Sequence, residues 1–470
     1  MSKILIVVVL ILSLVILAPG MSQAGWQRTT LFTNDFDYFS HCIAFDPNGH
    51  PHIVFIEHAA HDDHKVFHSY FDGSAWHQER LDNAAAGSRI DSSIAIDALG
   101  HIHVSYMEDR PGSLNTLVYA YFDGEQWIRT PLFPGGFGSS MAVDGEGRPH
   151  IAHISNFGQL QYVTHTGTQW TTETIGSNAL NFGRTSIALT PSGNVHVSYS
   201  NQSLPRKLFC VTNTSGIWTW SYVGEGSEAT LALDSSDNPH IAYWSDSTQE
   251  LKYARLTDSG WAVETLDASR GSPSLVLDSR DNPHIAYSWF HPKNFFIHAK
   301  YCHFDGTIWK YELVGTKASG WTSMVLDGWG LPHVSYYQAW GKGYWHPSLV
   351  YAFMLMPDLS GTWANITTAS SSGKQKLSAV LKVTNGFTGI SGKCAVALYL
   401  SDDDAFGEGD KRIGKRRKVS KLTPGQEKDV TFTYKSVPSL SGKYLVAVID
   451  SGGAVNEVDE GNNVVIGQIP

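Results

Sequence analysis

A line of thirteen residues present in seven copies constrains this chain more than any other feature. Ile43-Ala-Phe-Asp46-Pro-Asn-Gly49-His-Pro-His52-Ile-Val-Phe55 returns as Ile94-Ala-Ile-Asp97-Ala-Leu-Gly100-His-Ile-His103-Val-Ser-Tyr106, and again around His150, His196, His240, His284 and His333. An Asp stands six residues before the His in six copies (Asp46, Asp97, Asp144, Asp234, Asp278, Asp327), and Thr190 replaces it in the fourth. Repeats at this spacing are supersecondary units that bury their apolar faces only by packing on their neighbours.

Each copy decodes as a β-hairpin. An alternating apolar stretch stops at the Asp, whose carboxylate accepts backbone N–H groups in a tight turn. The fourth turn residue is Gly in five copies and Asp in two (Asp237, Asp281), types that tolerate a left-handed backbone. His-Ile-x-Tyr then alternates as a second strand. A third strand follows (Val66–Tyr70, Leu117–Tyr121, Leu160–Tyr162, Leu251–Ala254, Leu349–Phe353), and a Gly-containing turn leads to a Trp that opens a fourth. Those tryptophans are Trp76, Trp127, Trp170, Trp218, Trp261 and Trp309; the seventh is Trp26, ahead of the first repeat, while the last repeat runs out at Phe353. Only 17% of residues are charged, against about 25% in ordinary soluble proteins, which excludes coiled coils, helical solenoids and extended disorder.

Four-stranded units of about 47 residues arranged radially make a β-propeller, and an N-terminal strand that completes the last unit leaves no long open edge. The expectation is an all-β chain: a seven-bladed β-propeller over residues 25–354, closed by its N-terminal strand, a linker at 355–358, and a second β-domain at 359–470. The Asp-x-x-Gly-x-Pro-His-Ile-x-Tyr repeats resemble extracellular bacterial propellers related to BNR-type repeats, although the Ser-x-Asp-x-Gly-x-x-Trp box of sialidases is absent.

Composition changes after Pro357. Residues 359–470 contain no His, hold the basic run Lys411–Lys418, and carry a charge balance of +3 against −13 for residues 1–358. Alternating strands at Leu377–Val383, Ala395–Leu400, Asp429–Tyr434 and Tyr444–Ile449 suit an immunoglobulin-like sandwich. The segment resembles the CARDB (cell-adhesion-related) family in Pro357-Asp358-Leu359, Leu398–Asp402, Gly409-Asp410, Leu422–Gly425, Gly442–Asp450 and Glu457–Asn463. That resemblance implies an extracellular adhesion or spacer module rather than a reaction.

Lys3, the apolar run Ile4–Ala18 and Ser22-Gln23-Ala24 read as a signal peptide cleaved near Ala24, so a secreted, periplasmic or cell-surface location is expected, with no transmembrane segment after cleavage. Four scattered cysteines (Cys42, Cys210, Cys302, Cys394) suit buried thiols better than disulfides or zinc. The acidic first section argues against nucleic acid as a partner.

The seven repeat histidines are expected to be hydrogen-bonded structural groups, because sheet spacings of about 10 Å keep equivalent atoms too far apart for one ion. No metal and no cofactor is expected. The cluster Glu57-His58…His61-Asp62-Asp63-His64 and the carboxylates Asp402–Asp404 with Asp410 offer cation ligands, with solvated loops as the simpler reading. Function is expected on the loops that join strands two to three and four to one, which share one face of a propeller. There the candidate ligand-binding residues are Arg110, Trp244, Trp289, His291, Tyr337, Trp340, Tyr344, Trp345 and His346, joined by Arg89, Arg184, Arg270 and Trp321. Aromatic planes stack on sugar faces while polar neighbours take the hydroxyls, so the expected partner is an extracellular glycan, or else a surface protein. The alternative is a carbohydrate-active enzyme, a polysaccharide lyase or glycoside hydrolase, with its site at the mouth of the ring and catalytic residues unassigned.

Overall fold

The computed structural model describes residues 25–470 except 34–37, 60–62, 82–88, 110–113, 181–182, 215, 270, 291–295, 341–345, 372–373 and 438–439. The proposed signal segment, the centre of the His58–His64 loop, Arg110, His291, Tyr344 and Trp345 therefore lie outside the described residues. The chain forms two compact units: one is Gln27–Phe353, and the other is Met354–Pro470 with the described residues up to Trp26. Both are built of strands, with one 3-10 turn at Gly461–Asn463 and no α-helix among the described residues.

The first unit contains seven four-stranded antiparallel sheets. The first runs Tyr38–Phe45, Pro51–Ala59, Asp63–Phe71 and Trp76–Arg80, each strand bonded to the next. Five more repeat that order. The seventh takes Ala318–Leu326, Pro332–Trp340 and His346–Leu355, and its fourth strand is Gly25–Thr33, from the other end of the chain. The first strand of each sheet packs against the first strand of the next, and Ala318–Leu326 of the seventh packs against Tyr38–Phe45 of the first.

Every hairpin turn has its fourth residue at positive φ, from 63° to 86°, whether that residue is Gly or, at Asp237 and Asp281, Asp. The Asp that begins the turn accepts two backbone N–H groups; in the fifth sheet Asp234 Oδ1 takes Ser236 N at 2.9 Å and Asn238 N at 2.8 Å. Its other oxygen faces the repeat histidine, as at Asp144–His150 (3.3 Å) and Asp234–His240 (3.5 Å). The opposite ring nitrogen of that histidine meets a third-strand tyrosine: His103 with Tyr119 at 2.8 Å, His150 with Tyr162 and His240 with Tyr253 at 2.5 Å, His284 with Tyr301 at 2.5 Å. Outside the fourth sheet, the histidines are thus links within their own sheets. Among the described residues no three His, Cys, Asp or Glu side chains are grouped to hold a metal.

The tryptophans join neighbours. Trp170 lies edge-on to Tyr119 of the preceding sheet at 4.8 Å, Trp218 to Tyr162 at 5.4 Å and Trp309 to Tyr253 at 5.4 Å. Trp76 of the first sheet makes the same contact with Tyr351 of the seventh at 5.1 Å. Trp26 is buried. The four cysteines are free thiols; burial pushes Cys42 and Cys210 up to about 12.

The second unit is a pair of sheets. Leu359–Ser371, Lys374–Asn385 and Glu427–Val437 form one; Cys394–Ser401, Tyr444–Val448 and Val464–Gln468 form the body of the other, with short edge pieces at Lys411–Arg412 and Arg417–Val419. Leu377, Leu381 and Phe432 from the first sheet and Val396, Leu398 and Leu445 from the second share one core. No helix among the described residues is long and apolar enough to cross a membrane.

Candidate functional site

The residues expected at the loop face have different fates. Trp244 is half-buried and its indole N–H donates to the Ser269 carbonyl at 3.1 Å. Trp289 is half-buried too, but one face of its ring is covered by the Lys300 ammonium at 4.0 Å, which pairs with Asp267 at 2.7 Å. Trp340 and His346 are cross-strand partners where the strands Pro332–Trp340 and His346–Leu355 reach their connection. Tyr337 is a correction. It is 1% exposed, donates to the Ser40 carbonyl at 3.1 Å and stands edge-on to His41 at 4.7 Å, so it packs between the seventh and first sheets and presents nothing to a ligand. Alternation along Pro332–Trp340 turns its ring into the core, where a loop position was expected.

A different set of groups converges at the starts of the first strands. Five of the seven first strands carry an irregularity there, with register shifts between Tyr38 and His41, Ile90 and Ser93, Phe137 and Ser140, Ser227 and Thr230, and Ser319 and Thr322. A bulge of this kind re-aims a side chain out of the ladder. The equivalent position in the seven strands is occupied by Ser40, Asp91, Gly138, Arg184, Glu228, Ser272 and Trp321. Asp91 and Glu228 sit at φ 55° and 53°, in the left-handed region that Gly138 occupies at 56°. A non-glycine residue there costs roughly 1–2 kcal/mol, so both strands hold a carboxylate at a position where glycine is easier.

Neighbouring strands fix these groups. Asp91 Oδ2 accepts Gly138 N–H at 2.8 Å, and the Ser272 hydroxyl donates to Glu228 Oε2 at 2.5 Å. Ser40 accepts Ser92 N–H at 3.0 Å. Arg184 is half-buried, makes no ion pair within 4 Å among the described residues, and lies close enough to Asp91 and His41 to act on both by charge. Burial pushes the Asp91 carboxyl up to about 6, with the nearby Glu228 charge adding to the rise and the Gly138 N–H and Arg184 opposing it. Burial also drives His41 down to about 3, so its ring is neutral against Ser335 (2.9 Å) and the Trp321 carbonyl (3.4 Å).

Farther out, Asp246 takes the Arg206 guanidinium at 2.5 Å and the Ser227 hydroxyl at 2.8 Å. These equivalent positions thus offer a guanidinium without an ion pair among the described residues, two carboxylates, hydroxyls and an indole. Arg184 and Trp321 were legible as loop residues. Asp91 and Glu228 were not, because a bulge leaves no periodic signal; the available clue was a charged residue just before each alternating apolar stretch.

No curated protein matches the chain. Among solved structures it is similar to a protein of unknown function from Dyadobacter fermentans, at 12% identity over 71% of this chain and 99% of that one with TM-score 0.48. It is similar also to an α-L-arabinofuranosidase from Fusarium graminearum, at 11% identity over 56% and 92% with TM-score 0.40. A third is a six-bladed β-propeller fungal lectin from Aleuria aurantia, at 14% identity over 48% and 77% with TM-score 0.38. Residues 356–466 match the CARDB family model, so the second unit is a CARDB domain.

Proposed function

We propose that this chain is a secreted or cell-surface protein that binds an extracellular glycan at the axis of a closed seven-bladed β-propeller. In this reading residues 1–24 are a signal peptide, 25–354 the propeller, 355–358 a linker and 359–470 an adhesion or spacer module. Closure is supported by the exchange of the strand Gly25–Thr33 into the seventh sheet and by the Trp76–Tyr351 contact between the seventh and first sheets.

The observation that carries the ligand class is this set of equivalent positions itself. Sugar hydroxyls both donate and accept: carboxylates such as Asp91 and Glu228 take their protons, while a guanidinium such as Arg184 donates to their oxygens. Trp321 and the half-buried Trp244 supply flat apolar surface. Trp289, Trp340 and His346 are further proposed contacts, as are Arg110, His291, Tyr344 and Trp345, which lie outside the described residues.

A second reading follows from the same carboxylates. A raised acid beside another carboxylate is what glycoside hydrolysis employs as general acid and partner. Screening the full chain against acidic and neutral polysaccharides, by titration and by release of reducing ends or unsaturated products, separates the two. Arg184→Gln should weaken glycan binding roughly 10- to 100-fold, the worth of one charge-assisted hydrogen bond or two. Trp289→Ala, Trp340→Ala and Trp345→Ala should weaken it where the loops contribute. Binding unchanged in all four variants rejects the site, and turnover abolished by Asp91→Asn favours the enzyme.

A further inference from the structure

The turn between Tyr444–Val448 and Val464–Gln468 in the second unit is crowded with oxygen donors: Asp450, Glu457, Asp459, Glu460, Asn462 and Asn463. Three of them are almost wholly enclosed, Asp450 at 6%, Glu457 at 7% and Asn463 at 5% exposure. The pairing of Val448 with Val464, continued by Ile449 N–H to the Asn463 carbonyl at 2.8 Å, sets Asp450 opposite Asn462.

Among the described residues neither enclosed carboxylate has an ion pair within 4 Å; the Arg416 guanidinium reaches the neighbouring Gly452 without pairing with Asp450. The described ion pairs of this unit are Lys382–Glu427 and Lys443–Asp402, on other parts of its surface. Glu457 Oε1 accepts the Asn463 amide at 3.3 Å, and the same amide nitrogen reaches Glu460 Oε2 at 3.1 Å. Glu457 Oε2 also holds Leu359 N–H at 2.5 Å. The amide nitrogen faces the carboxylates, and the Asn463 oxygen is the other arm of the same group. That oxygen is buried and has no hydrogen-bond partner. The same is true of Asp450 Oδ1, whose sister oxygen takes Val455 N–H at 2.7 Å, and of the Asn462 amide oxygen.

Buried acceptors without a donor each cost about 1–3 kcal/mol, and buried carboxylates without a counter-charge cost more. One proton on Glu457 would neutralise one group and leave three orphaned oxygens unsatisfied. A hard divalent cation answers both deficits together, because it takes six to eight oxygen ligands from carboxylates, amides and backbone. We propose that this turn binds one calcium-type divalent cation through the Asp450 and Glu457 carboxylates and the amide oxygens of Asn462 and Asn463. Two carboxylates completed by amides fall outside the three-carboxylate or histidine groupings that the described residues lack.

The cation acts as a staple. It ties the last turn to the start of Leu359–Ser371 through Glu457, and so fixes the end of the domain nearest the linker in sequence. The carboxylates singled out earlier are otherwise engaged: Asp403 accepts Ala405 N–H at 3.1 Å, Asp410 accepts Gly407 N–H at 2.9 Å, and Asp402 pairs with Lys443.

The test is calorimetric titration of the chelator-treated full chain with calcium, paired with thermal unfolding. One calcium per chain is expected, with a raised unfolding midpoint for the second unit and far weaker binding of magnesium. Asp450→Asn and Glu457→Gln should each weaken binding more than tenfold. Asn462→Ala, in a partly exposed position that tolerates truncation, should weaken it as well and keeps the test open should a buried variant fail to fold. No calcium uptake at millimolar concentration overturns the proposal. Uptake that survives Asn462→Ala and either carboxylate variant unchanged overturns it too, and moves any site to Asp402–Asp404.

Discussion

At the scale of the residue, the fourth sheet explains what the repeated Asp, His and Tyr do. There Thr190 stands for the Asp, and Cys210 occupies the third-strand position that Tyr119, Tyr162, Tyr253, Tyr301 and Tyr351 fill elsewhere. His196 loses both partners at once: its Nδ1 is buried without a bond, and its other nitrogen finds only Thr212 at 3.5 Å. The first sheet substitutes differently, with His68 for the Tyr, bonded to His52 at 2.9 Å and to Glu79 at 2.9 Å. These rings are enclosed, and burial holds His41 at about 3 and His52, His153 and His284 at about 4. The unfolded chain protonates near 6.5, so the folded state is favoured above that value and loses ground as pH falls towards 4, by about 1.4 kcal/mol per pH unit for each ring. Asp91 and Glu457 work in the opposite sense: burial raises them to about 6 and about 7, so they weaken the fold as pH rises through roughly 4 to 7. Four rings outweigh two acids. The thermal midpoint should fall steadily between pH 6.5 and 4.5; a midpoint that rises over that interval contradicts the assignment of the histidines as buried and neutral.

At the scale of the element, the strands, hairpin turns and tryptophan positions were legible because each has a local cause. Alternation marks the strand, Asp and Gly mark the turn, and a Trp after a Gly turn marks the fourth strand. The bulges at the starts of the first strands were not legible, since they arise from how closely one sheet approaches the next. Gly138 makes that visible: a Cβ built on it would stand 1.9 Å from the Gly183 carbonyl oxygen, at φ 56°. Gly124, in an open turn at φ 100°, would meet nothing within 4 Å. Gly138→Ala should therefore cost several kcal/mol, by forcing two backbones apart, and Gly124→Ala only about 1 kcal/mol of backbone strain. Denaturant unfolding of the two variants measures the difference. Equal losses would mean that the third and fourth sheets do not meet as described. The same reasoning explains why Tyr337 was misplaced: it was expected on a loop, but the strand Pro332–Trp340 runs on past it and its ring lies in the core.

At the scale of the whole molecule, one hydrogen-bond pattern carries the arrangement of the sheets. A hydroxyl on a first strand accepts a backbone N–H from the first strand of the next sheet: Ser93 from Met141 at 3.0 Å, Ser186 from Leu231 at 3.0 Å, Thr230 from Leu275 at 3.1 Å, Ser274 from Met324 at 3.0 Å. Ser323 of the seventh sheet accepts from Ile43 of the first at 3.1 Å. The proposed glycan site, which sets Asp91, Arg184 and Glu228 about the axis of a closed ring, requires that this last link be as firm as the others. Native-state hydrogen exchange at the Ile43 amide measures it directly. A closed ring predicts protection of Ile43 equal to that of Met141 and Leu275, and its selective loss in Ser323→Ala. An Ile43 amide that exchanges orders of magnitude faster than its counterparts in the unsubstituted chain would contradict closure.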